Sequence, residues 1–214
     1  MPPTLIFMIG LKNMKKNTDF YLSLLIAFLL LFSSFSWQPI DFWVLFPLSL
    51  LLLIGWSFIF EQHELKRPTF SHFIYAVGSG IFLYGLFAIG KWLLTFLNLP
   101  LLDELESLYN VVQPTEPLHF LWLFLIIIPG EEWFWRGYVV KRLMKHVSNI
   151  QATILGTLLY AAAHLVTGSI LLVLAALFAG LAWSFLYTQT RNIWLPILSH
   201  LVFNLFLLIL FPLL

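Results

Sequence analysis

Glu131 and Glu132 stand side by side in the stretch Pro129-Gly130-Glu131-Glu132-Trp133-Phe134-Trp135-Arg136-Gly137, between apolar runs. A charge near the centre of a bilayer costs at least about 2.5–3.5 kcal/mol, so paired carboxylates there need a reason. Glu132 and Arg136 are spaced i, i+4 with the acid first, the favourable order for a helical ion pair. That pairing leaves Glu131, about 100° round the helix, without a local partner and available as a general base toward water. Pro129-Gly130 permits a kink beside the acids. Two further segments carry polar groups at helical spacing. In Tyr160-Ala161-Ala162-Ala163-His164 the aromatic and the imidazole share a face, and the alanines allow close helix packing. In His200-Leu201-Val202-Phe203-Asn204 the histidine and the amide project the same way.

Hydrolysis of a peptide needs an activated water and donors for the oxyanion. Glu131 with His164 can hold and deprotonate a water, and His200 with Asn204 can donate to the oxyanion. Equally, His164, His200 and Glu131 could ligate Zn²⁺ or another divalent metal with one position open. There is no His-Glu-x-x-His signature, and the residues leave the metal and the metal-free glutamate routes open. Taken singly, each group has a plainer reading. Glu132–Arg136 could be a structural pair, and His164 or Asn204 could be interhelical hydrogen-bonding glue. Six such groups on three segments are harder to explain as packing accidents.

The elements that must position them are membrane spans. The chain has 214 residues, of which 61% are hydrophobic and only 10% charged, and soluble domains carry about 25% charged residues. So much apolar surface needs membrane lipid as its solvent, and the fold class that spans a bilayer at this composition is an all-α helical bundle. Seven candidate spans are read, at about 20–36, 42–60, 72–97, 118–146, 150–166, 169–187 and 193–213. The fourth runs on beyond the membrane, and Thr167-Gly168-Ser169 is the turn that separates the fifth from the sixth. Residues 1–117 read as scaffold helices ending in an external acidic loop, and 118–214 as the segment that carries the chemistry. No internal repeat supports a transporter built from inverted halves.

Nine of the eleven Lys and Arg fall on one side if the spans alternate: Lys12, Lys15, Lys16, Lys66, Arg67, Lys141, Arg142, Lys145 and Arg191. The opposite loops hold Asp41, Asp103, Glu104, Glu106 and Glu116. The positive-inside rule then makes the protein a multi-pass cell-membrane protein with a cytoplasmic N-terminus and an external C-terminus. Lys91 is expected to snorkel outward. Counting about 1.5 Å per residue puts Glu131, His164 and His200 in one layer, in the cytoplasmic half or near the midplane, opening toward the cytoplasm. The near-zero net charge (+1) gives no nucleic-acid footprint, and the absence of cysteine excludes disulfides and thiol catalysis. Met14-Lys15-Lys16 reads as a natural start, with residues 1–13 as an extension.

Glu131-Glu132-x-x-x-Arg136-Gly137, the aromatic-x-x-x-His164 pattern and His200-x-x-x-Asn204 resemble the three motifs of the CPBP family, the CAAX-protease and bacteriocin-processing (Abi) membrane enzymes. The resemblance runs from about Leu118 to Leu210, with Ala179-Gly180-Leu181 through Thr190 and Ile193-Trp194-Leu195-Pro196-Ile197 as part of the long third motif. Trp135 and Tyr160 stand where the family commonly has Phe, and both keep an aromatic. The resemblance implies an intramembrane endopeptidase acting on a membrane-associated peptide or protein, in peptide maturation or bacteriocin self-immunity among bacterial members and on prenylated Cys-a-a-X substrates among eukaryotic ones. It further implies Glu131 as the water-activating base, His164 as its partner, His200 and Asn204 as the oxyanion site, and Glu132 and Arg136 as its support. The competing classes are a non-catalytic immunity or scaffold protein and an ion-coupled carrier that uses Glu131 and the histidines as a relay.

Overall fold

A computed structural model describes residues 3–63 and 65–214, with side chains from residue 18 onward. The reading of residues 1–13 as an extension, and the charges of Lys12, Lys15 and Lys16, fall outside the described side chains. The described residues form a helical bundle without strands. In chain order the helices are α1 (Pro3–Phe32, prolonged by a π turn at Ser33–Trp37), α2 (Phe42–Phe60), α3 (Phe70–Phe96), α4 (Leu102–Val112), α5 (Pro117–Leu143), α6 (Asn149–Thr167), α7 (Ile170–Thr190) and α8 (Trp194–Leu210).

Six of these are long and apolar enough to cross a membrane, and α8 is a shorter apolar helix. The seven expected spans are therefore six and a short one. α8 stops early because Phe211 leaves helical geometry at φ −142° and ψ 65°, where the ring of Pro212 disfavours the helical conformation of the residue before it. α5 likewise ends at Leu143, with a turn in place of the expected continuation to residue 146.

The acidic loop is a second correction. Its centre folds as α4, an amphipathic helix laid across the end of the bundle. Tyr109 is buried, donates its hydroxyl to the Leu207 carbonyl at 2.8 Å and accepts from Leu213 N–H at 2.9 Å. The Glu104 carboxylate accepts from Ser169 Oγ at 2.7 Å and Leu171 N–H at 2.9 Å, and so caps the start of α7. Glu104 thus has a structural part that its position between spans did not reveal. Lys91 donates to the Leu214 carbonyl at 3.2 Å at the same end.

The opposite end holds the basic cluster. Glu61 is buried and receives Lys145 at 2.7 Å, with Lys141 and Arg142 each at 3.6 Å. Burial alone would push its carboxyl up. The bond from Lys145 and the charges of Lys145, Lys141 and Arg142 outweigh burial and hold it below the usual carboxylate value. Arg142 Nη2 also donates to the Phe60 carbonyl at 2.9 Å, and Lys141 to that of Gln62. The exit of α2 is thereby clamped to the end of α5.

α5 is not the plain kinked helix expected from Pro129-Gly130. It widens into π turns at Leu123–Ile127 and Trp133–Val140, on either side of the short α-helical turn that carries both glutamates. Pro129 lacks an N–H and crowds the carbonyl four residues back, and the wider preceding turn accommodates it. Gly130 serves packing: a Cβ there would sit 3.1 Å from Leu50 Cβ and 3.2 Å from Ile54 Cδ1, so its absence lets α2 approach α5. At Gly80 a Cβ would lie 2.6 Å from the Ser199 carbonyl oxygen, which fixes how closely α3 approaches α8.

Candidate active site

The chemistry-capable groups meet where α5, α6, α7 and α8 cross. Glu132 and Arg136 are wholly buried, joined at 3.2 Å from Nη1 to Oε1. The i, i+4 pairing expected from their spacing survives the π turn. Arg136 Nη2 donates to the Gly180 carbonyl on α7 at 3.2 Å, and its guanidinium lies 4.6 Å from the Tyr160 ring centre and 5.4 Å from that of Trp183. Gly180 is required for this approach, since a Cβ there would come within 3.0 Å of Tyr160 Cδ1. One arginine therefore ties α5 to α6 and α7.

His200 on α8 sits between the two carboxylates. Its Nδ1 is 2.9 Å from Glu132 Oε1, and its Nε2 is 4.0 Å from Glu131 Oε2. An ionised carboxylate only accepts, so Nδ1 carries a proton and Nε2 faces Glu131. Trp183 stacks on the imidazole with ring centres 3.8 Å apart, and its indole N–H donates to Ser199 Oγ at 3.2 Å. Ser199 in turn accepts from Ser79 of α3 at 2.7 Å. The ring is held on one edge by Glu132 and on one face by Trp183, so its free nitrogen has a defined direction.

Glu131 is 8% exposed while Glu132 and Arg136 have no exposure at all, so it is the carboxylate that something entering the site can reach. It accepts from the Tyr160 hydroxyl at 3.1 Å. His164, one turn beyond Tyr160, has Nδ1 2.8 Å from the Tyr160 carbonyl. A carbonyl cannot donate, so Nδ1 carries the proton and Nε2 is left as an acceptor. The His164 ring stands edge-on to that of Tyr160 with centres 4.5 Å apart. Glu131, Tyr160, His164, His200 and Asn204 all line one cavity of about 460 Å³.

All six residues singled out from the sequence thus lie in one neighbourhood. Sequence reasoning gave no role to Tyr160, Trp183, Gly180 or Ser199. Tyr160 lay within a motif already noticed, whereas the contacts of Trp183 and Ser199 depend on helix crossings that leave no local signal. The expected opening toward the basic side is corrected. The cavity runs the other way, to Lys91, Leu105 and Tyr109 at the acidic end. The depth count located the layer along the helices but said nothing of which end is plugged. Packing decides that: none of Glu61, Lys141, Arg142 and Lys145 at the basic end lines the cavity. The cavity also reaches Ile89 and Leu93 of α3 and Leu174 and Phe178 of α7, which are exposed on the bundle's flank. It therefore opens sideways as well, toward the lipid.

His164, His200 and Glu131, the set named as possible metal ligands, all line the cavity. Among the described residues no three His, Asp or Glu side chains are grouped to hold an ion. His200 Nδ1 and His164 Nδ1 are held by Glu132 and the Tyr160 carbonyl, which leaves Nε2 of each ring free.

Residues 113–206 match the protein-family model described as type II CAAX prenyl endopeptidase, Rce1-like. The match covers all six site residues and begins just before α5. No curated protein and no solved structure matches the chain.

Proposed function

We propose, from the membership of residues 113–206 in the Rce1-like type II CAAX prenyl endopeptidase family, that this membrane protein is an intramembrane endopeptidase working through a glutamate-activated water. The observation that carries the reading is the disposition of the two carboxylates. One, Glu132, is neutralised by Arg136 and spent on orienting His200, while the other, Glu131, faces the cavity with His200 Nε2 at 4.0 Å. That gap is too long for a hydrogen bond, so His200 Nε2 faces the space beside the Glu131 carboxylate where a substrate oxygen would lie.

In the proposed reaction the water is held between Glu131 and the free Nε2 of His164. Glu131 takes its proton as the oxygen attacks the scissile carbonyl carbon. His200 in its protonated form, with Asn204, donates to the oxygen that gains the negative charge. Collapse breaks the C–N bond, and the proton held by Glu131 passes to the leaving amine. Tyr160 keeps the Glu131 carboxylate in its rotamer throughout. The substrate class is a membrane-associated peptide or protein, entering through the lipid-facing side of the cavity.

The test compares membrane-bound and released peptides among cells carrying the wild-type protein, no protein, or Glu131→Gln at matched abundance. The same uncleaved peptides are expected to accumulate in the last two. A Glu131→Gln profile equal to wild type would sink the assignment. Cleavage by purified protein is expected to survive chelation; loss on chelation with recovery on added Zn²⁺ would replace the glutamate route with a metal one.

A further inference from the structure

We propose that the basic end of the bundle carries a second site that binds a phosphate-type anion of the kind a phospholipid headgroup presents. A recess of about 230 Å³ lies there among the α2–α3 connection, the ends of α5 and α7 and the start of α8. It shares no lining residue with the Glu131 cavity. Lys66, Lys141 and Arg191 line it, and among the described residues no carboxylate does. The nearby Glu61 is shared among Lys145 at 2.7 Å and Lys141 and Arg142 at 3.6 Å each, so it offsets only part of the charge of Lys141 and leaves Lys66 and Arg191 uncompensated by it.

The donors exceed the acceptors. The indole N–H of Trp133, also lining the recess, is buried without a hydrogen-bond partner. Such a donor is costly to bury unsatisfied, and an anion's oxygen would satisfy it. Lys66 is exposed and makes no ion pair among the described residues. Arg191 gives one N–H to Asn149 Oδ1 at 2.9 Å and keeps others. The volume equals that of roughly eight waters, enough for a tetrahedral phosphate and part of a glycerol unit. The recess lies at the ends of spans, where lipid phosphates lie, and basic pockets between helix ends are a recurring way to hold them. This site does not depend on the peptidase reading.

The experiment titrates the purified full chain, in neutral detergent, with three probes: dihexanoyl-phosphatidic acid, dihexanoyl-phosphatidylcholine and inorganic phosphate. The acidic lipid is expected to bind by calorimetry and to weaken as salt shortens the Debye length, and the zwitterionic one to bind far less. Lys66→Gln and Arg191→Gln are each expected to weaken binding about fivefold, the worth of one basic residue near an anionic surface. Both are surface substitutions that leave the fold intact, and Trp133→Phe removes the lone donor while keeping an aromatic ring. Competition by inorganic phosphate assigns the site to the anion itself, and its failure to compete assigns it to a lipid headgroup with its chains. Equal binding of both lipids, or affinities unchanged in all three variants, overturns the proposal.

Discussion

Replacing Arg136 with leucine should be among the most damaging single changes in the protein, and one further substitution should undo much of the damage. Arg136 is wholly buried and neutralises Glu132, which is buried to the same degree. Its removal strands a carboxylate whose remaining partner is His200, and breaking one side of a buried pair costs about 3–5 kcal/mol. For a chain of this size each kcal/mol moves the melting point by roughly 2–4 °C, so Arg136→Leu should lower Tm by roughly 6–20 °C. The pair itself is imperfectly satisfied, because Glu132 Oε2 and Arg136 Nε both lack hydrogen-bond partners. Converting it to a neutral pair should therefore cost little. The double variant Glu132→Gln/Arg136→Leu should regain most of the lost stability, since the glutamine oxygen still accepts from His200 Nδ1. It should not regain cleavage, because His200 no longer sits beside a full charge. Thermal unfolding of the four members of the cycle in one detergent, alongside cleavage, measures both quantities. A double variant no more stable than Arg136→Leu, or a single-variant loss below about 1 kcal/mol, would refute the reasoning.

Tyr160→Phe removes the hydroxyl held on Glu131 at 3.1 Å and installs the residue common in the family's second motif, so cleavage should fall only a few-fold with little change in Tm. Gly80→Ala would place a methyl against the Ser199 carbonyl and push α3 away from the helix that carries His200, with an overpacking loss of about 1–3 kcal/mol in unfolding. Glu61 sits below its ordinary value in the folded state, so its stabilisation is complete above the usual carboxylate range and is lost as pH falls through the lowered one. Glu61→Gln should therefore flatten that acid limb of a Tm-against-pH curve and lower Tm near neutral pH.

Composition and spacing determined the solvent, the all-helical class, most of the spans and the six polar residues that the fold gathers into one neighbourhood. Those properties are local: a run of apolar side chains needs lipid wherever it lies, and an i, i+4 acid–base pair meets on any helix. The family match over residues 113–206 spans all six of those positions. What the chain could not show by itself depends on which helix crosses which. Gly180 admits the Arg136 and Tyr160 side chains, Trp183 covers His200, and Ser79 reaches Ser199 across 120 positions. The acidic segment folds as α4 because the neighbouring helix ends supply partners for Tyr109 and Glu104, which no pattern within the segment announces. The direction of the cavity is of the same kind. Its lining runs from Glu131 to Lys91, Leu105 and Tyr109 and includes none of Glu61, Lys141, Arg142 and Lys145, so the acidic end is where Glu131 meets whatever enters.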